Sequence, residues 1–201
     1  MTTDERPTRQ WVAYRVVPGA MHTAPLPSAL DAGDGWRAVD LRRSLPLEQL
    51  DPLVIETGAR SEAALGVHVE ASFAYAIATA RGMEPIRLIL GTTAAAGEPA
   101  EAAFARAGAS GHDGRWRRRA AEALEEWSAQ APRPLEASAV LALMGPEHPP
   151  SEAVSWLAAL LGIRVPSEPI PDPLDLQSLV REQLGDTPPE PVKRRRFSRG
   201  G

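Results

Sequence analysis

Residues 65–82, LGVHVEASFAYAIATARG, carry the strongest folding constraint in the chain. Val67, Val69, Ala71, Phe73, Tyr75 and Ile77 recur at every second position. Successive side chains of a β-strand point to opposite sides, so this period places all six on one face. The other face holds His68, Glu70, Ser72, Ala74, Ala76 and Ala78, and its alanines let a helix approach closely. Alanine also favours helix, so a helix over 70–81 ending at Gly82 is the alternative. The alternation favours the strand.

Further strands follow from β-branched and aromatic runs bounded by turn residues. WVAYRVV (11–17) stops at Pro18 and Gly19, and WRAVDLRR (36–43) follows a segment, 20–35, that reads as loop. IRLIL (86–90) returns as a hairpin partner of the long strand. SLPLEQLDP (44–52) reads as a helical turn capped by Ser44, and LVIE (53–56) as a short apolar piece. After Gly91 the pattern turns helical. Residues 98–108 have Pro99 in the first turn and Gly108 as a stop; 114–130 align Trp116, Ala120, Ala123 and Trp127. Residues 135–145 and 151–162 are mostly apolar helices, the second capped by Ser151 and ended by Gly162.

Strands first and helices after predict an α+β fold. The expectation is an N-terminal, mostly antiparallel sheet of about four to five strands and a helical C-terminal half. Helices on one face of the sheet, or a separate helical unit, both satisfy that order. The organisation expected is a disordered 1–9 and one domain over 10–163, strand-rich at 10–91 and helix-rich at 98–162. Residues 164–173 hold four prolines and read as a stiff connector. Residues 172–185 read as an amphipathic helix with Leu176, Leu179, Val180 and Leu184 on one stripe, a candidate partner helix. Residues 186–201 read as a disordered basic tail. No internal repeat is present.

Composition excludes several chemistries. There is no cysteine, so thiolate catalysis, disulfides and cysteine metal sites are ruled out. The single lysine is Lys193, so residues 1–192 offer neither a phosphate-loop lysine nor a Schiff-base lysine. Twenty-one arginines, with much alanine, glycine and proline, match the codon usage of a GC-rich, bacterial genome. No apolar run approaches the roughly 20 residues of a membrane span. The N-terminus is polar, and the expectation is a cytoplasmic protein.

The four histidines, His22, His68, His112 and His148, show no metal-ligand spacing, so neither metal nor cofactor is expected. His68, Glu70 and Ser72 share a strand face. Their spacing of roughly 6.6–7 Å along a strand is too wide for a nucleophile and its base. GTTAAAG (91–97) sits where phosphate loops occur but lacks their lysine and glycine pattern.

Arginines concentrate in two places. Arg115, Arg117, Arg118 and Arg119 crowd a helix start, where the dipole favours acids instead. They would attract an anion or an acidic partner, or else pair with the protein's own acids. The second cluster is Lys193, Arg194, Arg195, Arg196 and Arg199. The tail 186–201 has five basic and two acidic residues, a net +3, which leaves −7 on residues 1–185 of a −4 chain. Such a tail can meet nucleic acid or another anionic surface, carry a phosphate on Ser198, act as a protein-binding peptide, or serve no specific contact.

With no coherent catalytic set, the first functional expectation is a non-catalytic adaptor or regulatory protein with a protein partner. The second is a nucleic-acid-associated accessory protein using both arginine clusters. The third is an enzyme built on a dispersed set such as Glu56, His68 and Glu70.

Overall fold

The computed structural model describes residues 9–16, 26, 29–41, 45–92, 98–108, 114–129 and 131–165. The described elements are β1 (Arg9–Arg15), β2 (Leu30–Gly33), β3 (Trp36–Leu41), α1 (Leu47–Ala59), β4 (Ala63–Val69), β5 (Ala74–Thr79) and β6 (Ile86–Leu90). Four helices follow: α2 (Glu98–Arg106), α3 (Gly114–Ser128), α4 (Ala137–Leu143) and α5 (Pro150–Leu160). The fold is α+β: one six-stranded sheet in the order β2-β3-β1-β4-β5-β6, with every adjacent pair antiparallel.

The first strand lies at the middle of the sheet. Trp11 and Ala13 face one core, Val12 and Tyr14 the other, and all four are buried. A strand covered on both faces shows a continuous apolar run instead of alternation, which is how residues 11–14 read. β3 and β4 flank β1 and are therefore parallel to each other, so α1 crosses one face of the sheet to join them.

Helices cover both faces, where the order of elements also allowed a single covered face. α3, α4 and α5 pack on Trp11, Trp36, Leu65, Val67, Leu88 and the alanines of β5. α1 and α2 pack on Val12, Tyr14, Val39, Tyr75, Ile77 and Ile89. Ala74, Ala76 and Ala78 do form a helix-facing surface, under α3 and α5.

Residues 65–82 are two strands, not one. Glu70 N–H donates to Phe73 O at 2.9 Å, closing a two-residue loop of Ala71 and Ser72. The loop changes parity: Val67 is opposite Ala76 on one face, and His68 is opposite Tyr75 on the other. The odd-numbered set of β4 therefore continues as the even-numbered set of β5. Neither loop residue has a positive φ, so the turn carries none of the Gly, Asn or Asp chemistry by which hairpins are recognised.

Other expectations change. The sheet has six strands, against the about four to five expected, because residues 30–33 add an edge strand. Residues 30–33 are strand, not loop. Asp34 and Gly35, at φ 48° and 80°, form a tight turn to β3, and Asp-Gly is a strong hairpin signal. Residues 47–59 are one helix running through Pro52 and preceded by Pro46; Ser44 lies outside the described residues. Pro52 forfeits one bond, to the Glu48 carbonyl, and the buried face of Leu50, Leu53 and Val54 carries the helix through. α5 is preceded by Pro149 with Pro150 as its first residue, so Ser151 lies inside the helix and is not its cap. Gly108 and Gly162 do stop their helices, each two residues past the last helical one and in the left-handed region, at φ 70° and 73°. β1 begins at Arg9, one residue inside the stretch expected to be disordered. No helix among the described residues is long and apolar enough to cross a membrane.

Candidate functional site

Arg115, Arg118 and Arg119 are exposed on the first turns of α3, and Arg117 is half-buried. Arg117, Arg118 and Arg119 make no ion pair with a described residue. No acid stands in the first turn of α3 to offset them, so their charge adds to the positive end of the helix dipole.

Between them, Trp116 reaches inward. Its indole N–H donates to Ala107 O at 2.8 Å, and its ring meets Phe104 edge-on at 6.3 Å. It packs against both cores and so wraps the β6 edge of the sheet. A cleft of about 630 Å³ opens here, with Met83, Glu84, Arg87, Trp116, Arg119 and Glu126 among its walls.

Arg87 is held from behind by a buried cluster. Asp51 on α1 accepts the Tyr75 hydroxyl at 2.7 Å and Arg87 Nε at 2.9 Å. Arg106 Nε lies 3.2 Å from the same carboxylate without a directed hydrogen bond. Four elements, α1, α2, β5 and β6, therefore meet at one carboxylate. Two guanidiniums share it, so among the described residues the cluster is net positive, with the exposed Glu48 at 3.8 Å from Arg106 beyond it. Burial, and then the bond to Asp51, push the Tyr75 hydroxyl far above the ordinary tyrosine range. Burial alone would lower Arg87, but the Asp51 carboxylate outweighs it and the net shift is upward.

His68 and Glu70 meet, although their spacing along a strand set them apart. His68 Nε2 lies 2.8 Å from Glu70 Oε1. Backbone spacing does not limit this pair, because Glu70 sits at the hairpin loop and its long side chain reaches back. Gln10 fixes the rest. Its Oε1 accepts Leu45 N–H at 2.6 Å, so its Nε2 donates to Leu45 O at 2.6 Å and to His68 Nδ1 at 2.5 Å. His68 Nδ1 is then an acceptor and Nε2–H donates to Glu70, which is the neutral imidazole. Both ring nitrogens are engaged, so the unit clamps β1, β4 and the residues before α1 together. Glu56 pairs with Arg60 at 2.7 Å on the α1 surface. No group of three or more His, Asp or Glu among the described residues is placed to hold a metal ion.

The second surface feature lies on α5. Glu152, Trp156 and Leu160 recur every four residues and share a stripe, and His148 lies just before the helix at the same end as Glu152. Trp156 is 53% exposed and Leu160 37%. Glu152 Oε1 accepts the Trp156 indole N–H at 3.3 Å and lies 3.4 Å from His148 Nδ1, so the exposed indole is held in one orientation. A helix that is apolar nearly all round gives no sequence signal for which of its large residues stay outside.

The tail residues Lys193, Arg194, Arg195, Arg196 and Arg199, with Ser198, lie outside the described residues, as do Leu176, Leu179, Val180 and Leu184. Sequence reasoning missed the Asp51 cluster and the α5 stripe, because each is assembled by packing between distant elements. Compared with known proteins, the chain matches no family model, no curated protein and no solved structure.

Proposed function

We propose that the protein is a non-catalytic adaptor or regulatory protein that binds a protein partner through the outer face of α5. One observation carries this reading: a large, exposed, pre-oriented tryptophan with a leucine one turn away. Interface hot spots are enriched in tryptophan, and a side chain already fixed loses little entropy on binding. Covering what Trp156 exposes removes on the order of 100 Å² of apolar surface, roughly 2–3 kcal/mol. The engaged state of His68 supports a structural role for the His68–Glu70 pair. The amphipathic stripe of 172–185 is a second partner element in this reading, and a cytoplasmic location is part of it.

The test is reconstitution. A partner identified by co-purification is purified and titrated against wild type and Trp156→Ala. Weakening of about tenfold or more is expected for a hot-spot residue. Recovery of no partner, together with unchanged behaviour after deletion of residues 172–201, refutes the proposal.

A further inference from the structure

We infer that the cleft between β6 and α3 binds a nucleotide unit, its phosphate against Arg87 and Arg119 and its base against the Trp116 indole. The cleft, at about 630 Å³, lies within the roughly 300–1,000 Å³ of small-ligand sites. Its walls are polarised. Met83 and Glu126 also line the neighbouring cleft beside Trp127, so they mark one end, with Glu84 on the same β5–β6 turn. Arg87, Ala107, Trp116 and Arg119 mark the other. Glu126 follows Arg119 by seven residues, about 10.5 Å along the helix, so the acid does not neutralise the basic end.

Each wall of that end suits a different part of a nucleotide. Asp51 orients Arg87, which keeps 27% of its side chain exposed. Arg119 is exposed and has no ion pair with a described residue. Two guanidiniums from separate elements match the charge and geometry of phosphate oxygens. Trp116 has spent its N–H on Ala107, so what it offers a ligand is aromatic surface, and every base has a π-face to stack on it. An acidic peptide would use the arginines and leave the indole without a role. A chain longer than one nucleotide meets Arg115 and Arg118 on the exposed first turn of α3. The site shares no residue with the α5 surface.

The experiment uses the full chain and a fluorescently labelled oligothymidylate, read by anisotropy at about 50 mM salt and upward. Binding that weakens steeply with salt is expected. Arg119→Glu should weaken it about tenfold, and Trp116→Leu about fivefold or more. Arg119→Glu lies at an exposed position and decides the question even if Trp116→Leu fails to fold. Competition by adenosine monophosphate identifies a free nucleotide as the ligand. Competition by unlabelled oligonucleotide alone identifies a single strand, and either result supports the site. Three results overturn it. The first is no binding at low salt. The second is loss of binding on neutralising Lys193, Arg194, Arg195 and Arg196 while Arg119→Glu has no effect. The third is displacement by polyglutamate as effective as by oligonucleotide.

Discussion

Replacing Asp51 by alanine should be among the most damaging single changes in the molecule. The carboxylate is only 6% exposed and faces the Tyr75 hydroxyl, Arg87 and Arg106. Its removal leaves two like charges close together with nothing between them. Breaking a buried pair by deleting one partner costs about 3–5 kcal/mol. Here each arginine keeps 27% of its side chain in solvent, so part of its charge remains hydrated and the cost falls to about 2–3 kcal/mol. For a chain of this size about 1 kcal/mol moves Tm by roughly 2–4 °C, so the expected loss is about 4–12 °C. Tyr75→Phe removes one bond and should cost only about 1 kcal/mol. In a double-mutant cycle, Asp51→Ala with Arg87→Ala should lose less than the sum of the singles, because the second change removes one stranded charge. Urea or thermal unfolding by circular dichroism measures the wild type and all four variants. An Asp51→Ala loss below about 1 kcal/mol, or one no larger than that of Tyr75→Phe, refutes the claim that this carboxylate holds α1, α2, β5 and β6 together.

Tyr14 and Tyr75 are the only tyrosines, and both are shifted upward, by burial first. In the unfolded chain they ionise near pH 10. The folded state therefore retains protons that the unfolded state releases, so stability is complete below about pH 10 and falls as pH rises toward the folded values. Tyrosinate absorbance should appear only with loss of the near-ultraviolet circular dichroism signal; a step near pH 10 in intact protein counts against this. Gly66→Ala should cost about 1–3 kcal/mol by overpacking, since its Cβ would collide with Val54 Cγ2. The same change on a Val54→Ala background should cost less, and equal costs in the two backgrounds would contradict the close approach of α1 to β4. Trp156→Ala should leave Tm within about 1–2 °C, because an exposed side chain contributes within about 0.5 kcal/mol; a larger drop means the indole serves the fold and not a partner.

The α+β class, the strand character of residues 11–15 and the places where helices stop were legible along the chain. These features come from backbone sterics and local periodicity: the left-handed glycines at 108 and 162, the apolar run at 11–14, and the alternation within each of β4 and β5, though not across the loop between them. Asp34 and Gly35 were legible too, as a hairpin signal inside a stretch taken for loop. The two-residue loop at Ala71 and Ser72 was not, because its residues lack turn character and the sheet register imposes the reversal. Pro52 hid α1 for the same kind of reason: one missing hydrogen bond reads as a break locally, while burial of Leu50, Leu53 and Val54 outweighs it in the fold.

The candidate sites divide along the same line. Sequence alone placed Arg115, Arg117, Arg118 and Arg119 at a helix start, excluded thiol chemistry and excluded lysine chemistry from residues 1–192. Tertiary structure alone set Trp116 and Arg87 beside Arg119, gathered Tyr75, Arg87 and Arg106 around Asp51, saturated His68 with Gln10 and Glu70, and left Trp156 outside. Residue types and periods are properties of a segment. Burial, pairing and exposure depend on which distant segments pack against it, and no local pattern carries that information.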